Sequence, residues 1–114
     1  MSMFDQKLAA GQGVTGTFCH IGGAVAAECL SLSGLDYVII DMEHGPFTEE
    51  SAGDMIRAIQ LHGAEPFVRT RDSSRAAVLH ALDLGARGLI IPDLRSVEEA
   101  RHLVEYAKYF PQGA

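Results

Sequence analysis

The sequence predicts an α/β fold in which consecutive strand–helix units build a parallel sheet. Short apolar runs bounded by Gly or Pro alternate with segments of helical periodicity. The strand-then-helix order occurs four times, which favours a parallel sheet with right-handed crossovers. The second apolar run ends abruptly in Asp41, Glu43 and His44, and the C-terminal tip of a buried strand is where α/β enzymes present their chemistry.

A first strand is expected over Val14–Ile21, broken by Gly22-Gly23. Ala24–Ser33 then reads as a helix closed by Gly34. Leu35–Asp41 is the second strand. Its run from Tyr37 to Ile40 is almost unbroken, as in a strand buried on both faces. Thr48 caps the next helix, with Glu49 and Glu50 well placed in its first turn. Ala52, Met55, Ile56 and Ile59 recur there at helical spacing. Glu65–Thr70 is a short third strand. Ser73 or Ser74 opens a helix with Val78, Leu79 and Leu82 on its inner face, and Gly85 stops it. Gly88–Pro92 is the fourth strand. Ser96 and Glu99 form a capping box ahead of Val97, Ala100, Leu103, Val104 and Ala107. No linker or second domain interrupts the pattern.

Four such units make half of an eight-stranded barrel, or a small open sheet. In a half barrel the first and fourth strands are open apolar edges, and the inner face needs a cover. No helix is expected beyond Lys108, and the chain reads as cut rather than finished.

The 114 residues suit one ordinary domain, and 47% hydrophobic with 21% charged content is enough to build a core. A formal net charge of −6 argues against nucleic acid as a partner. The basic group Arg69, Arg71 and Arg75 is too small to reverse that. No run of about 18 apolar residues is present, and Met1–Ala10 lacks the pattern of a signal peptide. The expectation is a cytoplasmic protein without a membrane partner. Cys19 and Cys29 match no zinc spacing and are expected to be reduced core residues.

His44 is a candidate general base, with Asp41 and Glu43 orienting it or holding an ion. The bland alternative is a solvated loop before the next helix. Arg69 ends the third strand on the same side. It can fork onto a carboxylate or stabilise developing negative charge; it can also simply pair with Glu43 or Asp72. Asp83 ends a helix at the opposite face and reads as structural, paired with Arg87. His20 ends the first strand and is a weaker candidate for the cleft. His62, His80 and His102 read as surface residues. Gly11-Gln-Gly13 and Gly22-Gly23 lack the spacing of a nucleotide-binding fingerprint.

The segment Gly34-Leu-Asp-Tyr-Val-Ile-Ile-Asp-Met-Glu-His-Gly-Pro46 closely resembles the motif of the HpcH/HpaI aldolases, metal-dependent (class II) pyruvate aldolases acting on 4-hydroxy-2-oxo acids. Gly16-Thr-Phe18, Phe67-Val-Arg69, Leu82–Pro92 and Tyr109–Gly113 fit the same family in order. The resemblance implies a (β/α)8 TIM barrel of about 250 residues, with this chain as its first four β-α units, the N-terminal half of one domain. It implies a homo-oligomer whose small-molecule partners are a 2-oxo acid and an aldehyde. It carries the catalytic base onto His44, the arginine that stabilises the transition state onto Arg69, and the aspartate that raises the histidine's basicity onto Asp83. That last role would have to act across a subunit interface. Asp41 and Glu43 become substrate-contacting or supporting residues. A divalent ion (Mg, Mn or Co) is implied, bridging the pyruvate carboxylate and keto oxygen. Its Glu and Asp ligands in the family come from the fifth and sixth strands, so none is expected in this chain.

Two other readings compete. The chain can be a non-catalytic half barrel that assembles with itself or with a second half. It can also be a small metal-binding or hydrolytic domain with Asp41, Glu43 and His44 as its own ligands.

Overall fold

The computed structural model describes residues 1–113. Strands β1 (Gly16–Cys19), β2 (Tyr37–Asp41), β3 (Glu65–Arg69) and β4 (Gly88–Ile90) form one sheet in sequence order. All three pairings are parallel. The helices are α1 (Met3–Ala9), α2 (Gly23–Leu32), α3 (Glu49–Leu61), α4 (Arg75–Asp83) and α5 (Val97–Tyr106). The four predicted strand–helix units are all present, with strands shorter than their apolar runs.

Alternation along each strand divides the sheet into two faces. Cys19, Val38, Ile40 and Val68 face the helices and pack with Ala27, Ala52, Met55, Ile56, Ile59 and Ala81 in one core. Each of these is almost fully buried. The opposite face carries Phe18, Ile39 and Phe67 in register across β1, β2 and β3. There it lines a shallow apolar cavity of about 320 Å³ with Phe4, Tyr37, Ile39, Phe67, Leu89 and Ile90. β2 is thus apolar on both sides, as its unbroken run predicts. Gly88 leaves the room that the Phe67 ring fills, since a Cβ there would strike that ring. With β1 and β4 each paired on one side only, the architecture is a half barrel with an open concave face.

Helix α1 is not anticipated by the sequence. It is a short segment of 7 residues, about two turns, too brief for periodicity to register. Contacts specify it instead. Ser2 caps it by accepting from the Asp5 N–H at 3.2 Å. Phe4 slides under the start of the sheet, 6.0 Å from the Tyr37 ring and 5.6 Å from the Phe67 ring between centroids. Lys7 Nζ lies 2.7 Å from Asp36 Oδ1, and Arg87 Nη2 lies 2.7 Å from Asp5 Oδ1. These pairs close the bottom of the half barrel.

The caps follow the sequence with two refinements. Ser74, rather than Ser73, caps α4 by accepting from Ala77 N–H. Ser73 donates to Glu99 Oε1 at 2.7 Å instead. Ser96 accepts from Glu99 N–H, but the Glu99 side chain returns to the Arg95 N–H at 3.0 Å, one residue earlier than a capping box requires. In α4 the buried residues are Val78 and Ala81, while Leu79 and Leu82 are half-buried. Cys19 is buried, and burial pushes its thiol up. Cys29 is exposed on α2, against the expectation of a core position. Among the described residues no helix is long and apolar enough to cross a membrane.

The reciprocal cap of α3 is complete. Thr48 Oγ1 accepts from Ser51 N–H at 3.1 Å, and Ser51 Oγ accepts from Thr48 N–H at 3.0 Å. Thr48→Ala is expected to cost about 1 kcal/mol. Chemical denaturation checks this, and an unchanged midpoint would mean that solvent satisfies the helix end equally well.

Candidate active site

Strand register assembles the site. Asp41 on β2 is the direct partner of Arg69 on β3, and Cys19 on β1 is the partner of Ile40. Continuing that register by one residue brings His20 beside Asp41. His20, Asp41 and Arg69 therefore form a polar row at the C-terminal ends of three strands. Directly beneath it lies the apolar row Phe18, Ile39 and Phe67.

Asp41 is the hub, with a side-chain exposure of 0%. Oδ1 accepts from Arg69 Nε at 3.0 Å, from Glu43 N–H at 3.0 Å and from His44 N–H at 3.2 Å. Oδ2 accepts from Arg69 Nη2 at 2.5 Å and lies 2.6 Å from His20 Nε2. A buried carboxylate is costly unless it is paired and hydrogen-bonded, and here both oxygens are saturated. The Arg69 fork is the largest cause holding the carboxyl well below the usual carboxylate range. Burial opposes it, while the two backbone N–H groups and His20 assist. The expectation that Asp41 contacts substrate does not fit this geometry, because neither oxygen is spare. Asp41 instead fixes Arg69 and the turn that follows β2.

Arg69 is held on three sides. Nε and Nη2 fork onto Asp41, Nε also lies 3.6 Å from Glu43 Oε1, and the guanidinium carbon sits 4.7 Å from the centroid of the Phe18 ring. Its partners are Asp41 and Glu43, not Asp72. Among the described residues Nη1 has no hydrogen-bond partner, so one edge of the fork is open. The Asp41 pair raises the guanidinium's already high pKa, so it is a permanent cation. Phe18 is a member of the site that the sequence reading overlooked. Its two-residue spacing from His20 was the available signal, since residues two apart on a strand share a face.

Met42–His44 turn away from the strand, and Gly45 N–H closes the turn onto the Asp41 carbonyl at 3.0 Å. A Cβ at Gly45 would collide with that oxygen and with the Phe47 ring. The turn lets His44 escape strict strand alternation. Its Nε2 comes 3.1 Å from Glu43 Oε1, the same oxygen that Arg69 approaches. His44 is 69% exposed. Glu43 thus links an exposed imidazole to a clamped guanidinium.

Asp83 does not join them. It is exposed at the C-terminal end of α4, and α4 runs back towards the beginnings of the strands. Arg87 does not pair with it either, reaching Asp5 and Glu65 instead. Within one chain the expected link between Asp83 and His44 is therefore not made. His62, His80 and His102 are exposed and lie beside Glu28, Glu49 and Glu98 respectively.

The donor set does not suit a divalent cation. The Asp41 oxygens are committed to five donors, and the Arg69 cation stands between Asp41 and Glu43. No trio of His, Cys, Asp or Glu converges for an ion among the described residues. In this arrangement Asp41 is turned to Arg69, and the side chains of Asp41, Glu43 and His44 do not gather around one point.

A permanent cation with one open edge, a neighbouring imidazole and an apolar floor suit a small anionic molecule. Known proteins bear on this arrangement. The family described as HpcH/HpaI aldolase/citrate lyase matches residues 15–114. The hydroxypyruvate/pyruvate aldolase of Agrobacterium fabrum is 36% identical over 110 residues, covering 96% of this chain and 41% of that protein. Among solved structures, the citrate synthase SbnG superposes with a TM-score of 0.89 at 34% identity, over 98% of this chain and 45% of that one. The HpcH/HpaI aldolase from Desulfitobacterium hafniense DCB-2 gives 0.86 at 33% identity, over 99% of this chain and 44% of that one. The chain spans less than half the length of these relatives. Across nearly its whole length, then, the chain belongs to the HpcH/HpaI aldolase/citrate lyase family.

Proposed function

We propose that residues 1–114 are the N-terminal half of a single barrel domain, and that the completed enzyme is a carbon–carbon lyase. Its reaction is the reversible aldol cleavage of a 4-hydroxy-2-oxo acid to pyruvate and an aldehyde. The observation that carries this reading is the Arg69 guanidinium, clamped by buried Asp41 with Nη1 left open at the strand tips. In cleavage the bond between C3 and C4 breaks and its electron pair passes into the pyruvyl enolate. Arg69 stabilises the charge that develops on the enolate oxygen. His44 takes the proton from the 4-hydroxyl as the O–H electron pair closes the aldehyde carbonyl, and the enolate becomes pyruvate when C3 takes up a proton from solvent; in condensation C3 gives up that proton and His44 returns its own to the aldehyde oxygen. Glu43 orients His44 and borders the substrate.

Asp83 enters this scheme only from another copy of the chain, since its own His44 is at the other end of the sheet. This supports a homo-oligomer. A divalent ion of the kind the family resemblance implies would need ligands from outside this chain.

The isolated chain is expected to be inactive, or nearly so. An aldol-cleavage assay with excess Mn²⁺ or Co²⁺ checks this. Robust His44-dependent turnover by the bare chain would refute the need for a second half. Joined to the C-terminal half of the Agrobacterium relative, the chain is expected to turn over, and His44→Ala is expected to lower kcat by about 10²–10⁴-fold. The open apolar face and the unpaired edges of β1 and β4 favour one other reading, a half barrel that pairs with itself. A monodisperse dimer on size-exclusion chromatography supports that reading, and a monomer rejects it.

A further inference from the structure

His20 has no role assigned by the family resemblance, yet it sits in the tightest part of the cluster. Its Nε2 lies 2.6 Å from Asp41 Oδ2, the oxygen that also accepts from Arg69 Nη2. The Asp41 carboxylate is ionised and can only accept, so His20 donates from Nε2. The same imidazole stacks on Phe18, with centroids 5.9 Å apart and planes 12° from parallel. Phe18 in turn lies under the Arg69 guanidinium. His20, Asp41, Arg69 and Phe18 therefore close a cycle of contacts. His20 touches the two groups that hold Arg69, without touching Arg69 itself.

We propose that His20 is a positioning residue that acts through Asp41 and Phe18 to fix the plane of the Arg69 guanidinium. Two restraints follow from the geometry. The Nε2–H bond holds Oδ2 at the angle the arginine fork requires. The stacked imidazole holds Phe18 flat beneath the guanidinium, where the cation–aromatic contact resists rotation. Both keep the Nη1 edge turned towards the same place. The proposal rests on the aldolase reading only for the identity of the oxygen that Nη1 meets. The restraint itself belongs to this chain's own side chains. His20 is 49% exposed, so its removal leaves no internal void and the fold should persist.

Nitrogen-15 NMR of the arginine side chains in the whole chain tests this, with the Arg69 signals assigned through Arg69→Lys. In the unsubstituted protein His20 is expected as the Nε2–H tautomer, and Arg69 is expected to show slow rotation about Nε–Cζ. In His20→Ala that rotation should speed up about tenfold, the order expected for losing one hydrogen bond from a neutral donor to a charged acceptor. His20→Gln places an amide N–H within reach of Oδ2 and should restore slow rotation, which a merely space-filling role would not do. Phe18→Leu should speed rotation through the second route alone. An unchanged Arg69 rate in His20→Ala overturns the proposal, as does an Nδ1–H tautomer in the unsubstituted protein. Turnover of the completed barrel is read separately. His20-dependent restraint without any aldol cleavage sinks the aldolase reading alone, whereas cleavage with an Arg69 indifferent to His20 sinks only the positioning role.

Discussion

Arg69→Lys, made in the chain joined to a second half barrel, is expected to lower kcat for aldol cleavage by about 10²–10³-fold. The reason is geometric rather than a matter of charge. Arg69 spends Nε and Nη2 on Asp41 and still has Nη1 to offer. A lysine ammonium can remain with Asp41 or advance to the substrate, but it cannot fork onto the one while presenting a fixed donor to the other. The ion pair with Asp41 survives in the variant, so the fold should survive with it. Because the lost interaction grows as charge develops on the enolate oxygen, the deficit should appear mainly in kcat rather than in KM. Steady-state kinetics decide the matter. A lysine variant with unaltered kcat would remove Arg69 from the chemistry and leave it as a structural partner of Asp41.

The fold is legible in this sequence because its local signals agree with one another. The unbroken run of β2, the caps at Thr48, Ser74 and Ser96, and the glycines after α2 and α4 all call for the same strand–helix order. What escapes is whatever depends on contacts between elements. α1 is specified by Phe4 beneath Tyr37 and Phe67 and by the ion pairs of Lys7 and Asp5, none of which leaves a periodic trace. The site follows the same rule. Asp41, Glu43, His44 and Arg69 are visible as polar groups at the ends of apolar strands, but their division of labour is not. Asp41 looks like a substrate-facing carboxylate until the register sets it against Arg69 and encloses it. Phe18 looks like an ordinary strand residue until Arg69 is found over its ring. Strand register, which sequence alone does not supply, converts a row of candidates into a clamp and the group it clamps.

Asp41→Asn is expected to destabilise the chain by about 3 kcal/mol at neutral pH, the lower end of the range for breaking a buried ion pair. The amide keeps the size of the carboxylate but not its charge, and it exchanges one acceptor atom for a donor. Whichever way it turns, an N–H group meets a donor: Arg69 and His20 on one side, or Arg69 and the backbone of Glu43 and His44 on the other. Arg69 is partly open to solvent and keeps Glu43 at 3.6 Å, which limits the loss. The pH dependence follows from the same contacts. The carboxyl of Asp41 titrates lower in the folded chain than in the unfolded chain, where it lies near 3.9. Its stabilising contribution is therefore complete above the unfolded value and is lost as pH falls from there towards the folded value. Urea unfolding at a series of pH values should show the unsubstituted protein and Asp41→Asn far apart at pH 7 and converging below about pH 4. A gap that stays constant down to the acid limit would show that the carboxylate's charge is not what holds Arg69 and the turn together, and that packing around residue 41 supplies the stability instead.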